Sequence, residues 1–305
     1  MERAISSFHG RKNLLGFSRL NPNRSLLCYR PLVVRMAQKQ NYWANIEADI
    51  QTHLQKAIPI RTPVSVFEPM HYLTFAAPRT TAPALCIAAC ELVGGDRTEA
   101  MAAAAAIQLM HAASYTHQHL PLTDRPRPKP TIEHKFNPNI ELLTADGIMP
   151  FGFELLAESM DSGHINADRI LRVIVEISQA TGSRGVVDGQ FRGLDLTQSD
   201  NEGSSDLGVI EYVSKKKDGE LHACAAACGA ILGGGSEEEI ENLRKYGLYA
   251  GMIQGLLYGV GRNEKGVKEM VEKLRTSAMK ELENFKYREI EAISSLVEAE
   301  LISSF

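Results

Sequence analysis

The sequence predicts an all-α protein, and three observations carry that prediction. Long stretches consist of strong helix formers, above all "TEAMAAAAAIQLMHAASYTH". Helix-start signals and glycine stops punctuate those stretches as helix–turn–helix junctions require. Runs of β-branched residues are short and fall inside helical periodicity, so no strand ladder emerges.

Each element follows from local signals. "YWANIEADIQTHL" takes up a helical pattern near Asn41. Gly94 and Gly95 suit the end of the next helix. Asp96, with Glu99 three residues on, forms a capping box that opens the Ala-rich helix. "PLTDRPRPKPTIEHKFNPN" holds five prolines and cannot be helical through its length. Asp168 is a good cap for "DRILRVIVEISQATG", which stops at Gly182. "TGSRGVVDGQFRGLDLTQSDNEGSSD" is rich in Gly, Ser and Asp and reads as a long mobile segment. After Gly233, Gly234 and Gly235, Ser236 and Glu239 form a second capping box, opening "SEEEIENLRKYGLYAGMIQGLLYG". "KGVKEMVEKLRTSAMKELENF" and "REIEAISSLVEAELI" are amphipathic. "CIAACELVGGDRTE" and "CAAACGAILGGGSEEE" echo one another as two similar junctions, a simpler reading than duplication.

The 305 residues are 44% hydrophobic and 23% charged, enough for one large core or two small ones. No run approaches the roughly 18 apolar residues of a membrane span. A net charge of −4 argues against a nucleic-acid binder. The first 36 residues depart from this average, with seven Arg or Lys against one acid, Glu2, and several serines. That is the composition of an organelle transit peptide, and the alternative is a basic arm. Residues 37–305 then read as a single all-α domain. Of the five cysteines, Cys28 lies in the leader. Cys86/Cys90 and Cys224/Cys228 form two i, i+4 pairs. A reducing organelle disfavours disulfides between them.

The order of "CIAACELVGGD", "AAAAAIQLMHAASYTHQHLPLTD", "VVDGQF" and "GAILGGGSEEEIENLRKYGLYAGMIQ" resembles the short-chain trans-prenyltransferases, geranylgeranyl diphosphate synthases most closely. The resemblance covers Asn41 to the C-terminus. It implies the isoprenoid synthase fold, a helical bundle around a central cavity, and enzymes that join an allylic diphosphate to isopentenyl diphosphate. In such enzymes two aspartate-rich motifs hold Mg²⁺ on the departing diphosphate. Mg²⁺ needs hard anionic oxygen ligands, which Gln and His do not supply.

Measured against the family, this sequence departs where the chemistry sits. The first motif, Asp-Asp-x-x-x-x-Asp, is matched by Gln118, His119 and Asp124. The second, Asp-Asp-x-x-Asp, is matched by Leu257, Tyr258 and Gly261. The basic segment for isopentenyl diphosphate becomes "PRTTAP", where Arg79 alone is charged. In "SKKKDG" Lys217 matches a family lysine and Asp218 replaces a threonine. Gln190 and Gln254 match family glutamines. Five of six motif aspartates are replaced, so the resemblance implies that both metal motifs are lost and that this chain is catalytically silent alone, with no bound metal. Residual diphosphate contact would fall to Arg79, Gln190 and Lys217, although a lysine-rich stretch is usually a solvated surface.

Other readings of the same residues are weaker. Zinc on His111, His117, His119 and His134 meets the difficulty that His117 and His119 face different ways on a helix. A Cys₄ site lacks polar residues around the two pairs. "LGGGS" fits a phosphate cradle, but a helix end followed by a helix start explains it fully. The thiol pairs read either as small core residues or as soft faces that let a partner helix approach.

"CIAAC" and "CAAAC" resemble the Cys-x-x-x-Cys motifs of one branch of the family, the plant small subunits of heteromeric geranyl diphosphate synthase. This branch implies a plastid stromal protein that is not itself an enzyme. Its partner would be a geranylgeranyl diphosphate synthase-like large subunit, in a heterodimer or heterotetramer, that carries the Mg²⁺. Cys86, Cys90, Cys224 and Cys228 would bind that partner, and product would shift to ten-carbon geranyl diphosphate. The alternatives are a partner-independent prenyl diphosphate binding module and a weakly active prenyltransferase.

Overall fold

The computed structural model describes residues 30–121, 134–162, 166–198, 206–259 and 265–298. The helical body is the second of two units, Lys39–Phe305; the first, Met1–Gln38, contributes only the start of the first helix to the described residues. Among the described residues no strand occurs.

The chain runs through α1 (Arg30–Ala57), α2 (Val64–Ala76), α3 (Ala82–Val93) and α4 (Arg97–His119). It continues through α5 (Pro138–Glu158), α6 (Ala167–Thr181), α7 (Val186–Gln198) and α8 (Leu207–Ser214). A π-helical turn, Lys215–Gly219, leads into α9 (Glu220–Leu232), then α10 (Glu237–Tyr258), α11 (Val267–Glu281) and the short α12 (Glu291–Ser294).

α9 is the hub. Leu221 to Leu232 are all buried, and the helix packs on α3, α4, α6 and α10. A helix that is apolar all round has to sit inside. Its closest neighbour is α3, because glycine removes side chains where the two backbones meet. A Cβ on Gly229 would stand 1.9 Å from the Cys86 carbonyl oxygen, and one on Gly233 2.7 Å from that of Cys90. α10 approaches α9 and the π turn through Gly247, Gly251 and Gly255, spaced one turn apart on one face. The C-terminal turn is tied back by Trp43, whose Nε1 donates to Ser295 Oγ at 3.0 Å, and by the Tyr246 hydroxyl, which donates to the Ile293 carbonyl.

Both predicted capping boxes form, Asp96 with Glu99 and Ser236 with Glu239. The glycines before Ser236 serve as a helix end and a helix start, with Gly234 at φ +79°. Three expectations are corrected. Asn166, not Asp168, caps α6; its Oδ1 accepts from the Asp168 amide at 2.8 Å. The segment read as mobile contains α7, because contacts with the π turn and α8, and Gln190's bonds to Ser114, outweigh the low helix propensity of its glycines. Among its described residues, the last amphipathic stretch makes one α turn and a 3₁₀ turn. Ile293 to Val297 are buried one after another, a continuous burial that a helix with one wet face cannot give. The transit-like residues 1–29 and most of the Pro-rich segment, 122–133, lie outside the described residues.

Candidate functional site

α4 turns one face inward. His111, Tyr115 and His119, four residues apart, form a column of rings. The His111–Tyr115 centroids are 6.4 Å apart and the Tyr115–His119 rings stack at 4.0 Å. His119 Nδ1 donates to the Tyr115 carbonyl at 2.8 Å. Burial holds His119 below the ordinary imidazole range, and the nearby Lys217 cation pushes the same way. From α7, Gln190 Nε2 donates to the Ser114 carbonyl at 3.0 Å and to its Oγ at 2.7 Å.

The π turn faces this column. An inserted residue in a helix re-aims the side chains around it. Here it turns Lys217 inward, where burial lowers its pKa, and Asp218 likewise, where burial raises it. Lys217 and Gln190 share one junction: a Cβ on Gly189 would lie 2.7 Å from Lys217 Cγ. The lysine-rich stretch is therefore only partly the solvated surface expected of it. Lys216 also stays at home, donating to the Arg184 carbonyl at 2.6 Å.

A closed hydrogen-bond chain crosses the interior. His222 Nδ1 donates to the Asp218 carbonyl at 2.7 Å. Its Nε2 lies 2.9 Å from Thr81 Oγ1, which lies 3.0 Å from the Gln254 amide. A carbonyl only accepts, so Nδ1 carries the proton. Thr81 Oγ1 thus sits between two acceptors, the neutral ring's Nε2 and Gln254 Oε1, and its single hydroxyl proton serves one of them at a time. His222 is 1% exposed, and burial pushes its pKa down to about 4.

That depressed value has a pH consequence. The unfolded chain binds the proton near pH 6.5, the folded chain only near 4, so stability is lost as pH falls through that window. His222 accounts for about 2 kcal/mol of loss between pH 7 and pH 5. His111, also held near 4 by burial, adds in the same direction. Urea midpoints at the two pH values check this. His222→Leu should remove about half of the fall, and equal midpoints for the parent protein would contradict it.

The sequence-derived site residues land in different places. Gln118 and His119 end α4. Leu257 packs half-buried against the core, and Tyr258 is exposed. Asp124 and Gly261 lie outside the described residues. Gln190 bonds Ser114 and Lys217 packs against the neighbouring Gly189, whereas Arg79 is 75% exposed and paired with Glu47 at 3.2 Å. The four histidines have separate partners: His111 the Pro78 carbonyl, His117 Asp146, His119 the Tyr115 carbonyl and His134 Glu141. Among the described residues no group of three or more His, Cys, Asp or Glu is arranged to hold a metal ion. Amide, imidazole, leucine and phenol do not fit a hard dication.

The four thiols expected to bind a partner lie inside the described chain. Cys86, Cys90, Cys224 and Cys228 are all buried, with Cys224 and Cys228 Sγ 3.7 Å apart. The α3 and α9 faces that carry them approach one another closely, with a Cβ on Gly229 falling 1.9 Å from the Cys86 carbonyl oxygen. Small side chains and glycine make those two faces complementary to one another.

His222, Thr81 and Tyr115 escaped sequence reasoning. No motif marks them; only the π turn and the α3–α9 approach bring them to one place.

An all-α bundle whose polar interior is lined from α3, α4, α7, α9, α10 and a π turn is the architecture of the trans-prenyltransferases. The chain belongs to the polyprenyl synthetase family, whose model matches residues 64–254. It is 50% identical over 281 residues to a Cannabis sativa protein, "heterodimeric geranylgeranyl pyrophosphate synthase small subunit 2, chloroplastic". That match covers 88% of this chain and 97% of the relative. The crystal structure of a geranyl diphosphate synthase small subunit from Antirrhinum majus superposes with a TM-score of 0.79 at 60% identity, covering 85% of this chain and 98% of that one. A solved structure of a mint deletion mutant of heterotetrameric geranyl pyrophosphate synthase in complex with ligands gives 0.73 at 53%, covering 85% and 99%. No helix among the described residues is long and apolar enough to cross a membrane.

Proposed function

We propose that this chain is a non-catalytic regulatory subunit of a plastid prenyltransferase. It pairs with a geranylgeranyl diphosphate synthase-like large subunit, which carries the Mg²⁺ and the turnover. The observation that carries the reading is the end of α4. Where the family places two carboxylates, this chain has Gln118 and His119, and His119 is committed to Tyr115 by a stack and a hydrogen bond. The family match also stops at Gln254, short of Leu257. Relatives named as small subunits of heterodimeric synthases support the partner, and "chloroplastic" in the Cannabis name supports the plastid.

The helices that carry Cys86, Cys90, Cys224 and Cys228 are the expected contact elements, and exposed apolar side chains extend the surface available to the partner. On α5 and α6, Leu143 (71% exposed), Leu171 and Val175 leave apolar side chains in water, the kind of surface an interface covers. Heterodimer and heterotetramer both satisfy this reading.

The proposed effect on the partner is a shift of product toward ten-carbon geranyl diphosphate. The Antirrhinum relative is named for that product and the Cannabis relative for the twenty-carbon one, so the test has to read chain length. A geranylgeranyl diphosphate synthase is assayed with and without this chain, products are sorted by carbon number, and the mixture is run on size exclusion. The ten-carbon fraction should rise by about tenfold, within the range of ordinary coupling between sites. Co-elution with unchanged product overturns the ten-carbon assignment alone. Separate elution overturns the subunit reading.

A further inference from the structure

α5 has an inner and an outer face. The inner face packs on α4, where a Cβ on Gly152 would lie 3.0 Å from Met110 Cε and 3.6 Å from Ala106 Cα. The outer face carries Leu143 and Gly147, one turn apart, followed by Pro150, Glu154 and Ala157, all exposed. Beside it α6 exposes Leu171 and Val175.

Gly147 is out of place in this helix. Glycine in mid-helix is destabilising relative to alanine. Gly229 and Gly251 have a reason, since a Cβ on either would strike main-chain oxygen of a neighbouring segment, Cys86 for one and Asp218 for the other. Gly147 has none within the described chain: no atom lies within 4 Å of a Cβ placed there, and its φ is not positive. A missing side chain on an exposed, largely apolar face lets a second helix come close, because interaxial distance follows the size of the side chains at the contact.

Charge narrows the identity of that helix. α5 carries Glu141, Asp146, Glu154 and Glu158 and no lysine or arginine. Glu141 is buried and Asp146 meets His117. Glu154 and Glu158 are exposed. The nearest arginines on α6 are committed elsewhere, Arg169 to the Leu232 carbonyl and Arg172 to Glu237. Two copies of this chain meeting through the same face would set these acids against one another. Like charges across an interface select against that partner, and a basic helix is favoured in its place. We infer that the outer face of α5 seats a helix of the large subunit, closest at Gly147, with Lys or Arg opposite Glu154 and Glu158. The inference rests on the subunit reading and adds the face, and the charge, by which the chain prefers the large subunit to a second copy of itself.

The test titrates the full chain against the geranylgeranyl diphosphate synthase of the product assay by calorimetry. Gly147→Ala should raise the urea midpoint of the isolated chain and yet weaken binding by about tenfold, within the usual cost of overpacking a close contact. Gly147→Trp, at an exposed position, should abolish binding and leave the chain folded. Glu154→Lys combined with Glu158→Lys should weaken binding by about tenfold in dilute buffer, and salt should narrow the difference. Self-association of the parent chain should be at least about tenfold weaker than its binding to the synthase. Parent-like affinity of Gly147→Trp, or of the double lysine variant in dilute buffer, overturns the inference and leaves the subunit reading standing. Self-association as tight as synthase binding, and lost in Gly147→Trp, also overturns it. A parent chain that does not bind the synthase overturns both.

Discussion

Gly229→Ala should destabilise the protein by about 3 kcal/mol or more, although it adds one methyl group. The new Cβ would sit 1.9 Å from the Cys86 carbonyl oxygen and 3.0 Å from the Cys90 amide nitrogen, both main-chain atoms that cannot step aside as a side chain does. Relief requires α3 and α9 to move apart, and α9 is the helix on which four others pack. Overpacking a fixed core typically costs 1–3 kcal/mol, and a backbone clash lies at the upper end or beyond. Gly147→Ala is the control. Nothing lies within 4 Å of that Cβ, and replacing an exposed helical glycine should gain about 0.5–1 kcal/mol. Urea unfolding of the two variants side by side reads the difference, and equal midpoints would mean that α3 and α9 do not approach as described.

This geometry gives the cysteine pairs a packing role within the chain. Their spacing puts each pair on one helical face, as the sequence implies. The other half of the contact is Gly229 and Gly233, which nothing in the Cys-x-x-x-Cys pattern announces. Sequence periodicity shows that a face is small and soft; it does not show whether the occupant comes from the same chain. Any effect of thiol substitutions on partner binding should therefore follow the stability of this chain.

Much of the fold was legible because its signals are local. Asp96–Glu99 and Ser236–Glu239 satisfy helix-start amides within one turn, so sequence alone places those boundaries. α7 was missed because its stability comes from elsewhere: Gly189 lets the π turn approach, and Gln190 reaches Ser114, far away in sequence. The interior polar chain was invisible for the same reason, since Thr81, His222 and Gln254 are brought together only by packing.

The second large expected effect concerns turnover. Ionising an allylic diphosphate requires metal-bound charge neutralisation, each interaction supplying several kcal/mol in the transition state. On the proposed reading this chain lacks the oxygens that hold the metal, and the described residues offer no group that replaces them. The loss of even two such interactions lowers the rate by at least about four orders of magnitude. The decisive measurement is turnover of the purified chain alone, with Mg²⁺, isopentenyl diphosphate and an allylic diphosphate, beside the same assay of a catalytic geranylgeranyl diphosphate synthase. Product from this chain at less than about one ten-thousandth of the synthase rate is the expected result. Sustained, Mg²⁺-dependent turnover by this chain without a partner would contradict the account.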